Sequence, residues 1–190
     1  MSSADDLDSL AGRLGSAAIR DAPLGSRTTY RVGGTAALGA EPADEAALLD
    51  IARALDGLVV PVLVVGNGSN LLVADAGFGG LAVTLGPRFA GLAIDGTEVR
   101  AGGALALPTL ARRTAAAGLT GLEWAVGVPG TVGGAVRMNA GGHGSDTVAT
   151  LVAFRVVDLL AAEVTDQPVG RLAAGCDGLR SRRQRDAPPR

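Results

Sequence analysis

Two glycine-rich segments carry the residues whose types and spacing suit chemistry in this chain. The first is Gly66-Asn67-Gly68-Ser69-Asn70. Its two glycines allow close backbone approach, and consecutive peptide N–H groups at such a turn form an anion-binding nest. Ser69 and Asn70 add side-chain donors suited to phosphate or ribose. Taken alone, the pentapeptide also reads as a tight turn between two strands. It is not a Rossmann fingerprint: the sixth position of G-x-G-x-x-G is Leu71, and a strand rather than a helix is expected to follow.

The second segment begins at Gly127-Val128-Pro129-Gly130-Thr131-Val132-Gly133-Gly134 and continues through Met138-Asn139-Ala140-Gly141-Gly142-His143-Gly144. It offers another set of backbone donors with almost no side-chain bulk. Two such sites, about sixty residues apart, fit one long ligand with a pyrophosphate in its middle. A dinucleotide is the physical inference, and composition does not name it. Other chemistry is sparse. All 17 basic residues are Arg, which excludes a P-loop with its Lys. One His and one Cys make no zinc site of the usual kind, so no metal is expected. His143, Ser145 and Asp146 crowd into one glycine-rich loop, which does not suit a hydrolase triad, and His143 reads as a solvated or ligand-side loop residue. Trp124 reads as packing beneath the glycine loop, and Arg112 with Arg113 as the wet face of a helix.

These segments must be positioned by a core that is short of rings. The chain has 190 residues, 47% hydrophobic but only 3% aromatic, so Ala, Val and Leu have to fill the interior. Its 29 glycines, about twice the usual share, imply many tight turns or close backbone approaches. The spacing predicts a helix over 3–14 with Asp6 in capping-box position, and another over 43–55 on Ala47, Leu48, Ile51 and Leu55. Residues 59–65 read as a buried strand, 71–73 and 81–85 as two further strands, with turn residues at 75–80 between them. A hairpin is expected over 92–94 and 98–101 around Asp95-Gly96. A helix follows over 105–117 with Leu107, Leu110, Ala111 and Thr114 on its inner face and Gly118 closing it, and 150–159 reads as a strand.

No apolar run approaches the roughly 20 residues of a membrane span, the N-terminus does not read as a signal peptide, and a lone Cys176 suits the cytoplasm. The net charge of −2 divides into −6 over 1–170 (17 acidic, 11 Arg) and +4 over 171–190 (6 Arg, 2 Asp). Residues 176–190 are expected to form a disordered, Arg-rich tail. With no aromatic among them, nonspecific attraction to nucleic acid at low salt is the most they offer.

Thr28-Thr29-Tyr30-Arg31-Val32-Gly33-Gly34 and the run from Val62 through Val73 resemble the start of the UDP-N-acetylenolpyruvoylglucosamine reductase (MurB) family. Gly121-Leu122-Glu123-Trp124 and the second glycine segment match the same family in the same order, so the resemblance covers about residues 25–165. It implies an α+β fold: a two-lobed FAD-binding domain of the vanillyl-alcohol-oxidase/PCMH type, without a C-terminal substrate domain. The expected division is a lead-in over 1–24 and the FAD-binding domain over 25–175, with lobes at about 25–86 and 87–175. The resemblance further implies that residues 66–70 contact the FAD pyrophosphate, and that Pro129, Gly130, Thr131, Val132 and Gly133 with Asn139, Ala140, Gly141 and Gly142 line the flavin. No His stands near the first loop, so FAD is expected to be held noncovalently.

The family reaction is hydride transfer from NADPH to FAD and on to the enolpyruvyl double bond of a UDP-sugar, in peptidoglycan precursor synthesis. The resemblance assigns an Arg, a Glu and a Ser to that chemistry. The family's Tyr-Arg motif aligns with Gly175-Cys176-Asp177-Gly178, and the Ser and Glu belong to later parts of the family's chain. No catalytic residue is therefore assigned, and a frameshifted or shortened reading frame after about residue 175 is the expectation. The alternative is a noncatalytic flavin- or nucleotide-binding protein.

Overall fold

A computed structural model of the protein describes residues 4–171. The Arg-rich segment, Cys176 and the aligned Gly175–Gly178 positions lie outside the described residues.

The helix α1 (Ala4–Leu14) presents Leu7, Leu10, Ala11 and Leu14 on one face, and Leu10 is fully buried. After it the chain forms β1 (Ile19–Pro23) and β2 (Thr35–Ala40), an antiparallel pair. Neither strand is written in propensity. β2 reads Thr-Ala-Ala-Leu-Gly-Ala, poor in the β-branched residues that favour strands, and β1 ends in Pro. They form because Gly39 lets the two backbones close up: a Cβ there would lie 2.4 Å from the Ala22 Cβ. Helix α2 (Glu45–Leu55) starts at Asp44, whose carboxylate accepts from Ala47 N at 3.0 Å. It buries Leu48, Ile51 and Leu55 as its spacing requires. At its far end Arg13 of α1 donates to the carbonyl oxygens of Ala54 (3.0 Å) and Asp56 (2.6 Å), which the helix itself leaves unpaired.

Strands β3 (Val62–Val65) and β4 (Phe78–Thr84) complete a four-stranded sheet in the order β1-β2-β4-β3, in which β4 runs parallel to both neighbours. β4 is central, so both its faces are covered. Leu81 and Val83 meet Leu10, Leu38, Leu48 and Ile51, while Ala82 meets Ala22, Ala36 and Val65. Three expectations are corrected here. β3 is a half-wet edge strand, with Val64 59% exposed, and it starts three residues late: Val59, 72% exposed, lies before it. Residues 71–73 form no strand, because the chain turns over Gly68 O, which accepts from Leu71 N, and is then held by Gly34 N donating to Ala74 O. β4 begins three residues before the expected start, since Gly80 can lie against Pro61 O where a Cβ would sit 2.2 Å away.

The hairpin β5 (Leu92–Asp95) and β6 (Glu98–Ala101) is present, but Asp95 pairs with Glu98, so its two loop residues are Gly96-Thr97. Helix α3 (Leu107–Ala116) buries Leu107, Leu110, Ala111 and Thr114, the four predicted residues. It ends at Gly118 (φ +76°), with Gly118 N and Leu119 N donating to Ala115 O and Thr114 O.

A second core forms where α3 meets the short 3-10 helix Glu123–Gly127 and α4 (Val132–Met138), around Leu107, Ala111, Trp124, Ala125 and Ala135. Helix α4 was not expected, because Gly133-Gly134 in its first turn reads as loop. It is followed by β7 (Gly141–Gly142) and β8 (Ser145–Asp146), then a one-turn helix α5 (Thr147–Thr150). The predicted strand at 150–159 is β9 (Ala153–Asp158), and it pairs antiparallel with β10 (Glu163–Pro168), which was not foreseen. Val157 and Leu159 pack back on the first core beside α2. Among the described residues no helix is long and apolar enough to cross a membrane.

Candidate functional site

The fold brings the two glycine segments into contact across 60 residues of chain. Ser69 Oγ donates to Pro129 O at 3.2 Å. A Cβ on Gly66 would lie 2.6 Å from Thr131 Oγ1, and one on Gly130 (φ +127°) would lie 3.0 Å from Ser69 Oγ. Side chains larger than hydrogen at Gly66 and Gly130 would therefore push the segments apart. Gly68 (φ +62°) is buried against the preceding turn, its missing Cβ 2.7 Å from Arg27 O and 2.8 Å from Thr28 Cα. That turn is stitched to the loop by Thr29 N, which donates to Gly68 O at 3.3 Å.

The two segments use their backbone differently. In the first, the N–H groups of Asn67, Gly68, Ser69 and Asn70 form no hydrogen bond to protein acceptors among the described residues. Asn67 and Asn70 are exposed. This is an open set of donors at the end of a parallel strand, the arrangement that suits a phosphate or pyrophosphate. In the second segment most of the donors are already engaged. Val132 N donates to Leu105 O (2.8 Å), Gly133 N to Gly103 O (2.9 Å) and Gly134 N to the N-cap oxygen of Thr131 (3.3 Å). Leu107 N donates back to Gly130 O at 3.0 Å. Residues 130–133 thus lie alongside 103–107, and Gly133 permits it, since its Cβ would sit 3.0 Å from Gly103 O.

Asn139 is the left-handed C-cap of α4 (φ +44°), a conformation Asn tolerates better than most residues. Its Nδ2 donates to Asp146 Oδ2 and its Oδ1 accepts from Val148 N, both at 3.0 Å. The side chain therefore holds the β7–β8 hairpin onto α5. Ala140 O accepts from both Thr147 N and Thr147 Oγ1 at 2.9 Å. Gly141 pairs with Asp146 and Gly142 with Ser145, and the turn between them is His143 (φ +52°) and Gly144 (φ +84°). His143 sits at this exposed tip. Asp146 is engaged by Asn139 and by Ala149 N (3.1 Å), which leaves the triad reading without its acid. Trp124 is core as expected, only 5% exposed, although its indole N–H has no acceptor among the described residues.

Large apolar side chains flank both segments: Val64 and Leu72 the first, Val126 and Met138 the second, all of them about half exposed or more. Open donors between two such flanks fit a ligand with a charged middle and an apolar ring system at its end, which FAD has. The residues that would hold it are 66–70 on the diphosphate, with residues 129–133 closing on them. The group would supply the hydride chemistry, and the protein orientation and electrostatics.

Comparison with known proteins agrees with that class. Residues 36–165 match the model of the FAD binding domain family, described as "FAD binding domain". The chain is 48% identical over 126 residues to a UDP-N-acetylenolpyruvoylglucosamine reductase of Heliobacterium modesticaldum, covering 66% of this chain and 40% of that protein. It is 46% identical over 150 residues to the reductase of Methylorubrum extorquens, covering 78% and 47%. Among solved structures it is similar to the reductase (MurB) of Thermus caldophilus, with 32% identity and a TM-score of 0.66 over 81% of this chain and 52% of that one. The fold and site define an α+β FAD-binding domain. The chain belongs to the UDP-N-acetylenolpyruvoylglucosamine reductase family, of which it matches the N-terminal, FAD-binding part. It spans 40 to 47% of the length of these curated relatives.

Proposed function

We propose that this chain binds FAD noncovalently, with the diphosphate on the open N–H groups of residues 67–70 and the flavin toward residues 129–133 and 139–142. The observation that carries the reading is the contact between the two glycine segments, Ser69 to Pro129 and Gly66 to Thr131. It converts two remote turns into one donor-lined cleft edge. Membership of the FAD binding domain family supports the choice of flavin dinucleotide over other diphosphates.

The reaction we assign is that of the curated relatives, reduction of a UDP-sugar enolpyruvyl ether, with NADPH as the hydride source for the flavin. It would take place in the cytoplasm, on a nucleotide-linked peptidoglycan precursor. Within this chain no residue is assigned to the substrate half of that reaction. The flavin half is the part its residues serve, and the lobes at about 25–86 and 87–175 are the two walls we assign to the cofactor. A flavin-binding protein without turnover is the second reading, favoured by the alignment of Gly175-Cys176-Asp177-Gly178 with the family's Tyr-Arg motif.

The test is the visible spectrum of the purified chain after FAD is added and the excess removed, followed by NADPH. A retained flavin band is expected. Bleaching by NADPH, with no turnover of the UDP-sugar, would separate the flavin half from the substrate half. A colourless protein would overturn the binding assignment.

A further inference from the structure

Residues 66–70 and 127–134 carry no cation; the one Arg of the second glycine segment, Arg137, lies in the last turn of α4, beyond the residues that touch the first loop. A diphosphate bound to backbone N–H groups alone would lack a full counter-charge. The turn that clasps the first loop does carry one. Residues 28–34 meet this loop and the stretch after it, through Thr29 N on Gly68 O and through Gly34 N on Ala74 O (2.9 Å). Gly33 closes the second contact so tightly that its Cβ would lie 2.2 Å from Val73 O. Arg31 stands between these two clasps.

Two features set Arg31 apart. Its backbone is left-handed (φ +53°), a conformation unfavourable for a long side chain and usually given to Gly or Asn. It is over-determined by buried Thr28, whose O and Oγ1 both accept from Arg31 N at 3.1 and 3.2 Å. Arg31 is also exposed and forms no ion pair among the described residues, whereas Arg27 nearby is paired with Glu41. A strained, unpaired cation on the turn that clasps an anion nest is a position where strain serves binding.

We infer that Arg31 supplies the counter-charge for the diphosphate held on residues 66–70. This rests on the FAD assignment above and names a binding residue that neither glycine segment contains. The diphosphate could belong to the flavin dinucleotide or to the nucleotide-sugar, and the test separates the two.

The full chain, its R31N and R31K variants are titrated with FAD by flavin fluorescence at low and high salt, with inorganic pyrophosphate as competitor. Asn accepts the left-handed backbone, so R31N is expected to fold at least as well, with an equal or higher melting temperature. Its FAD affinity is expected to fall about tenfold or more at low salt, with pyrophosphate competing less well. The deficit should shrink at high salt, and R31K should recover most of the affinity. R31N binding FAD as the parent does, at both salts, would overturn the inference. So would a variant whose FAD binding is intact but whose affinity for UDP, titrated separately, is reduced, which would move the charge to the nucleotide-sugar. A parent chain that binds no FAD would overturn the underlying assignment, and this inference with it.

Discussion

Residues 66–70 and residues 130–142 are both rich in glycine with interspersed small polar residues, yet the fold uses them in opposite ways. In the first loop the glycines remove side chains, Gly68 adopts a left-handed conformation, and four consecutive N–H groups stay unpaired among the described residues. In the second, glycines allow backbone to lie on backbone, at 103–107 and across the β7–β8 hairpin; the N–H groups of Val132 and Gly133 are consumed in doing so, and that of Gly134 is spent on the Thr131 side-chain cap. Glycine density marks close approach. What approaches, a ligand or another stretch of chain, depends on whether the donors are already satisfied.

The comparison breaks most visibly at Gly68. G68V puts a β-branched residue at φ +62° with its Cβ under 3 Å from Arg27 O and Thr28 Cα. It is expected to destabilise the fold by about 3 kcal/mol or more and to abolish flavin retention, read by urea unfolding and by the visible spectrum after desalting.

Asn139 gives the opposite signature. N139A removes the αL-tolerant cap and both hydrogen bonds to the 146–148 segment. A loss of about 2 kcal/mol is expected. N139G, which keeps the backbone freedom, should recover part of it. FAD affinity measured well below the melting temperature should change little in either, because both polar atoms of the side chain are spent on residues 146 and 148 and only the backbone of 139 is left to face the flavin; a large loss of affinity at intact stability would show that the side chain itself contacts the ligand.

Thr131 serves both segments. T131V removes the N-cap of α4, with an expected loss of about 1 kcal/mol in urea unfolding. S69A removes one exposed hydrogen bond to Pro129 O, so its stability effect should stay below about 1 kcal/mol. Its FAD affinity should fall by more than its stability does. Equal, small effects on both would mean that the Ser69–Pro129 contact only ties chain to chain.

The smallest effect concerns Asp158, far from both loops. Ala161 N and then Leu160 N donate to its carboxylate and hold its pKa below the ordinary value. A depressed folded pKa stabilises above the unfolded pKa and is lost as pH falls through the folded one. D158N, which lacks the charge at every pH, should therefore melt slightly below the parent at neutral pH, with the difference vanishing at the acid end below about pH 4.

Much of the fold was legible in side-chain periodicity. α2 and α3 have their apolar residues at helical spacing, and the inner faces of both are buried as the spacing requires. The hairpin at 92–101 was legible from Asp95-Gly96 between alternating residues, displaced by one position. β1, β2 and α4 were not legible, for a common reason. β1 carries Asp and Pro, β2 is mostly Ala with a Gly, and α4 has Gly133-Gly134 in its first turn; these local preferences oppose the structure adopted, and packing against a neighbour overrides them. The expected strand at 71–73 failed on the converse ground. Its residues favour a strand, but the turn over Gly68 O and the bond from Gly34 N to Ala74 O hold the stretch in another path.

By itself the sequence determined where backbone had to come close and which ligand class would suit it. Glycine positions, the absence of Lys and the order of the motifs are all local information. Only the tertiary structure decided which of two similar glycine segments keeps its N–H groups open. That depends on whether a distant stretch of chain arrives with a carbonyl oxygen. Leu105 and Gly103 bring theirs to Val132 and Gly133, and among the described residues nothing brings one to 67–70.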